Sequence, residues 1–205
     1  DSYLNYGGDN VIAVRVYDAQ QDGGIIKGEV GIFSERNPFP LDVNLQGKWK
    51  FKISDNSRFM DTDFDDSGWD DILVPGMWEN QGYRHYDGFA WYRRSFFIDS
   101  DIHHEKIVIV LGKIDDKDEL YVNGQRVSNR KFNSFEPYNI QSEYDYDDFR
   151  AYFTDTDILI SGKMNTIAVR VYDHGGGGGI YEGPVGIISL DKYVQYWRRK
   201  KGKHY

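Results

Sequence analysis

The chain has 205 residues, a formal net charge of −8 at pH 7, and a composition 40% hydrophobic and 28% charged, as expected of a folded protein with one good core. That acidic balance excludes nucleic acid as the natural partner, because phosphate neutralisation needs a basic face. Cysteine is absent, which excludes a disulfide framework and thiolate metal ligation, and no apolar run reaches membrane-spanning length.

Residues 10–34 recur almost unchanged and without a gap at residues 165–189, an offset of 155 residues (165 − 10). Self-similarity at that spacing predicts tandem units of about one domain each. Residues 1–36 are read as the C-terminal strands of a truncated preceding repeat, residues 41–190 as the complete unit, and residues 191–205 as a basic tail. A piece as short as residues 1–36 cannot bury enough surface to fold alone. It is expected to dock on the complete unit or to exchange with a neighbouring chain as a strand-exchanged homodimer.

Strand signals then follow in chain order. Residues 11–16 alternate in the manner of a half-buried strand, as does their twin, where Ile167, Val169 and Val171 share one face. Residues 90–98 form another strand, with Trp91, Arg93 and Ser95 on one face and Tyr92, Arg94 and Phe96 on the other. The run Lys106 to Leu111 is apolar on both parities, predicting a strand buried on both sides. Residues 119–127 read as a hairpin, because Asn123-Gly124 supplies the two positive φ values of a type I′ turn. Residues 133–148, rich in Tyr, Asp and Asn, read as a long surface connection. No segment reads as a helix, and the run Trp197 to Lys201 reads as a solvated basic tail. Many short strands with turn signals between them predict an all-β fold, an antiparallel β-sandwich.

Ordered motifs run through the complete unit. They are Gly47-Lys48-Trp49-Lys50-Phe51, Phe64-Asp65-Asp66-Ser67-Gly68-Trp69, Val74-Pro75-Gly76-Met77-Trp78-Glu79 and Ala90-Trp91-Tyr92-Arg93-Arg94. After them come Ile114-Asp115-Asp116 with Asp118, Tyr121-Val122-Asn123-Gly124, and residues 162–171. In order and spacing this resembles the galactose-binding-domain-like jelly roll, the sugar-binding module of glycoside hydrolase family 2 enzymes of β-galactosidase type. It is also similar to the module of sialate O-acetylesterase-type proteins. The resemblance implies a jelly-roll sandwich that is not itself catalytic, within a longer protein that is a glycoside hydrolase. It implies glycan or oligosaccharide and neighbouring domains as partners, and by motif it places loops 78–88 and 173–179 toward a ligand. The pentaglycine at 175–179 departs from the family pattern and offers no side chain for direct contact.

Sugar recognition needs flat aromatic faces and groups that fix hydroxyls. Trp78, Glu79, Tyr83, Tyr86 and Asp87 supply both within one loop, and Trp91, Arg93, Asp173 and His174 complete the expected carbohydrate-binding set. The plain alternative is that Trp78 and Tyr86 plug the end of the sandwich. Trp49 and Trp69 are assigned to the core. Asp115, Asp116, Asp118 and Glu119 are read as a turn whose carboxylates accept backbone N–H bonds rather than as a catalytic pair. Asp61, Asp63, Asp65 and Asp66 raise the question of a structural calcium but lack the glycine and closing glutamate of an EF-hand. His103-His104 suggest no metal, and no cofactor is expected. A periplasmic or extracellular bacterial location fits a glycan-acting protein.

Overall fold

A computed structural model describes residues 9–17, 24–25, 38–99, 106–128 and 147–201. They fall into two units, Asp1–Pro38 and Phe39–Tyr205. In the first unit the described residues 9–17 and 24–25 contain no strand. The strand expected at residues 11–16 is therefore not formed, and Val11 is 93% exposed, with Ile12, Val14 and Val16 also open. Alternation alone does not make a strand; the ladder needs a partner strand in register. The rest of the repeat tail, His103-His104 and residues 133–146 of the long connection lie outside the described residues.

The second unit is an antiparallel β-sandwich, as the turn-punctuated strand runs predicted. A four-stranded sheet has the order β1 (Val43–Asn44), β10 (Ile180–Ser189), β5 (Lys106–Ile114), β8 (Phe149–Asp155). A six-stranded sheet has the order β3 (Asp70–Val74), β2 (Gly47–Ile53), β4 (Gly88–Phe97), β9 (Met164–Asp173), β6 (Lys117–Val122), β7 (Gln125–Val127). Alternation throws Ile167, Val169 and Val171 of β9 inward with Ala90, Tyr92 and Phe96 of β4. There they meet Ile107, Ile109 and Leu111 of β5 and Trp49 and Phe51 of β2 in the main core. Asn123 and Gly124 take φ of 48° and 77° at the β6–β7 turn, the conformation their sequence predicted.

Both outer faces are covered, which explains strands without a polar side. Over the six-stranded sheet, Phe59, Phe64 and Trp69 pack on Trp91 and Ala168. Over the four-stranded sheet lies a helix, α1 (Leu190–Lys201). It sets Tyr193 and Trp197 against Val108, Val110, Ala151 and Ile188. The run read as a basic tail is thus helical, although Arg198, Arg199, Lys200 and Lys201 themselves are exposed. Leu190, Tyr193, Val194 and Trp197 carry the i, i+3, i+4, i+7 pattern that marks its buried face.

Candidate functional site

Three connections meet at one end of the sandwich: residues 75–87 between β3 and β4, Asp115-Asp116 between β5 and β6, and residues 174–179 between β9 and β10. Backbone bonds lace them together. Gly76 N–H donates to Ile180 O (2.8 Å), Trp78 N–H to Gly178 O (3.1 Å) and Asp115 N–H to Gly179 O (3.1 Å).

The pentaglycine is part of this packing. A Cβ on Gly178 would lie 2.0 Å from Cζ2 of Trp78, and one on Gly179 2.5 Å from the Tyr92 hydroxyl. At these two positions the bare backbone lies directly on aromatic rings, and no other residue fits. Gly175 and Gly176, at φ of 151° and 105°, face open space instead.

The carboxylates divide the remaining work. Glu79 accepts the Gly178 N–H at 3.0 Å through Oε1, and Asp173 accepts the Gly175 N–H at 2.8 Å through Oδ1. Their second oxygens, Glu79 Oε2 and Asp173 Oδ2, are buried without a hydrogen-bond partner, as is Trp78 Nε1. Such groups are costly to leave unmet, and clusters of them mark sites where a ligand or water belongs. Burial chiefly, with Asp87, Asp116 and Glu79 nearby, raises the Asp173 carboxyl above its ordinary value, against the pull of the Gly175 N–H. Burial first, then Asp116 and Asp173, pushes Asp115 up to about 6.

The Asp115–Glu119 segment is structural, with one difference from the turn expected. Asp116, at φ of 57°, accepts the His174 backbone N–H. Asp118 is instead buried in an ion pair with Arg150 of the opposite sheet (2.8 Å) and accepts from the Tyr152 hydroxyl. Arg150 also donates to the Ile114 and Asp116 carbonyls, clasping the two sheets beneath the site. Sequence reading missed Arg150 because its partner lies 32 residues away on another strand; a lone Arg in an apolar β8 run was the available signal.

The expected sugar-binding residues fall into three groups. Glu79, Asp173 and His174 are brought together at the loop end with the glycine run, and Asp87 stands exposed next to β4. Trp78 is 0% exposed and joins the core, with Tyr86 edge-on to it at 5.8 Å. Tyr86 donates to Phe89 O, and Tyr83 packs on Phe51 and donates to Asp70, so the plugging alternative describes the aromatic part of this loop. Trp91 and Arg93 are 1% and 2% exposed on the other side of β4 and do not reach the loop end. Trp91 stacks on Tyr121, and Arg93 pairs with Asp66 and donates to the Phe59 and Asp61 carbonyls. The correction has a simple cause: their face of the sheet is roofed by residues 57–69, so its alternation buries rather than presents them. Arg93 and Arg58 supply positive charge among the Asp61–Asp66 carboxyls, pairing with Asp66 and Asp61 in turn. Among the described residues no group of three or more His, Asp or Glu side chains could hold a metal ion.

These features define an antiparallel β-sandwich with a carboxylate-bearing loop end. No protein-family model matches the chain. It is 29% identical over 144 residues to a putative beta-glucuronidase of Formosa agariphila, covering 64% of this chain and 12% of that protein. It is 47% identical over 45 residues to a beta-galactosidase of Photobacterium profundum, covering 20% of this chain and 4% of that protein. Among solved structures it resembles a glycosyl hydrolase family 2 member of Bacteroides cellulosilyticus, with 25% identity and a TM-score of 0.51, over 67% of this chain and 19% of that one. The fold also matches Bacteroides uniformis beta-glucuronidase 2, with 24% identity and a TM-score of 0.52, over 68% of this chain and 17% of that one. The sandwich thus resembles those of glycoside hydrolase family 2 proteins, consistent with its ordered motifs, and the chain spans a small fraction of each relative it matches.

Proposed function

We propose that this chain is a non-catalytic, carbohydrate-binding accessory module of a longer glycoside-hydrolase-2-like protein that acts on β-glucuronides or β-galactosides. The observation that carries the reading is the loop end. Two carboxylates, the half-buried Glu79 and the buried Asp173, each spend one oxygen on a glycine N–H and keep the other buried and unpaired. That is the arrangement that accepts sugar hydroxyls. Of the other carboxylates at this end, Asp116 serves the fold by accepting the His174 N–H. Glycan chemistry fits an exported, periplasmic or extracellular bacterial protein.

Calorimetric titration of the purified chain with methyl β-D-glucuronide and methyl β-D-galactoside tests the proposal. Weak millimolar binding is expected, lost in Asp173→Ala, and heat-silent titrations with both sugars would sink it. A second reading is favoured by one observation, the inward packing of Trp78, Tyr83 and Tyr86. On that reading the module is a structural support packed against a catalytic domain, and Asp173→Ala would weaken domain association without changing sugar affinity.

A further inference from the structure

Trp78 is covered in an unusual way. Among the described residues, what lies on its indole from the β9–β10 connection is backbone alone, because Gly178 has no side chain to contribute. The cover is tied down by the Trp78 N–H to Gly178 O bond and the Gly178 N–H to Glu79 Oε1 bond. On its N-terminal side stand Gly175 and Gly176, both at positive φ with nothing near their Cβ positions. Two adjacent residues of this kind, free of steric contact, can absorb large φ and ψ changes. Beneath the cover, the Trp78 Nε1 donor and the Glu79 Oε2 acceptor are both buried and unpaired, with Asp173 Oδ2 in the same state. The equally buried Trp49 indole donates to Leu45 O at 2.7 Å; Trp91 and Trp197 Nε1 are unpaired like Trp78 Nε1, but among the described residues the buried, unpaired carboxylate oxygens occur only at this loop end. A fully packed closed state has no reason to strand a donor and acceptors together.

We propose that residues 175–179 form a lid, hinged at Gly175-Gly176, over a cryptic carbohydrate site whose floor is the Trp78 indole and whose polar contacts are Trp78 Nε1, Glu79 and Asp173. Opening breaks the two bonds that hold Gly178 and the Asp115 N–H to Gly179 O bond, and bares the aromatic face that sugar C–H groups stack on. A sugar hydroxyl both donates and accepts, so it can meet the indole N–H and a carboxylate oxygen together, which an ammonium or a metal ion cannot. The expected site residues Trp78 and Glu79 then belong to one site in its closed form. The inference rests on the carbohydrate reading above for its occupant, but not for its motion.

The experiment separates the two. A Cβ on Gly177 would lie 3.3 Å from the Met77 sulfur, so the two positions face each other, and the chain has no cysteine of its own; Met77→Cys with Gly177→Cys is the pair chosen to lock the lid, with disulfide formation checked by thiol titration before exchange is read. Indole N–H exchange in deuterated buffer, read by NMR, reports opening. In the wild-type chain the Trp78 indole is expected to exchange about 100-fold faster than that of Trp49, in the double variant only after reduction. Methyl β-D-glucuronide or methyl β-D-galactoside at saturating concentration is expected to slow Trp78 exchange at least 10-fold in the reduced form and not in the oxidised one. Trp78 protection equal to that of Trp49 in the wild-type chain overturns the lid, and needs no variant. Fast exchange that neither sugar alters keeps the lid but overturns its carbohydrate occupant, and with it the carbohydrate reading.

Discussion

Gly178 and Gly176 are the same residue under opposite constraints, and substitution by alanine separates them. At Gly178 a methyl group would penetrate the Trp78 ring, so Gly178→Ala is expected to cost about 3 kcal/mol in urea unfolding, at the upper end for overpacking. At Gly176 only the positive φ resists, and Gly176→Ala is expected to cost about 1 kcal/mol. Asp115 makes a different prediction, in pH. Its carboxyl is held up to about 6 in the fold against 3.8 as its ordinary value, so the folded state binds its proton more tightly than the unfolded state. Stability from this group is complete below about pH 3.8 and is lost as the pH rises through about 6. Asp115→Asn should therefore stabilise the chain relative to wild type at pH 8 and show no such gain at pH 3.5, measured by urea midpoints at both. The residues of the loop end were legible in sequence as a polar and aromatic cluster. Which rings face solvent was not, because the cover over Trp78 comes from glycines 100 residues away (178 − 78) whose packing leaves no trace in residue type.

Strands such as β6 and β9 were legible because they alternate with a period of two and end at Asn123 or Asp173; β5 departs from that period for a visible reason. Its outer residues Val108 and Val110 lie under α1, and both parities of the strand are apolar for that cause. The helix itself was hidden by four consecutive cationic residues in its last turn, which dominate the composition of the segment. Those charges sit where a helix C-terminus favours them. Tyr193 is the centre of the contact, edge-on to Phe153 at 5.5 Å and to Trp197 at 6.2 Å. Tyr193→Ala should cost about 3–4 kcal/mol, as large-to-small core changes of aromatic residues do. The expected accompaniment is binding of a hydrophobic dye to the uncovered four-stranded sheet. The clasp between sheets is a second element-level test. Asp118→Ala leaves the Arg150 guanidinium buried without its carboxylate and should cost about 3–5 kcal/mol, while Tyr121→Ala on the outer face should cost less.

At the scale of the molecule, the repeat is the feature the strands alone do not explain. Residues 10–34 keep the inward positions of β9: Ile12, Val14 and Val16 stand where Ile167, Val169 and Val171 fill the core. They also keep Gly23 and Gly24 where Gly178 and Gly179 meet rings, and replace Gly175 to Gly177, of which the first two face open space, by Gln20, Gln21 and Asp22. A sequence that retains glycine where a Cβ cannot fit, and relaxes it where one can, is written for the same hairpin. In this chain its described apolar residues are exposed, Val11 at 93%, and such segments seek a strand partner. We expect the full chain to self-associate through residues 9–34 in a concentration-dependent way. Sedimentation velocity should show species above 23.9 kDa that disappear when residues 1–37 are deleted. The deletion should leave the urea midpoint of the sandwich unchanged, since β1 to β10 and α1 all lie between Val43 and Lys201. A chain that stays monomeric at every concentration would show that the spare hairpin finds no place on a second copy.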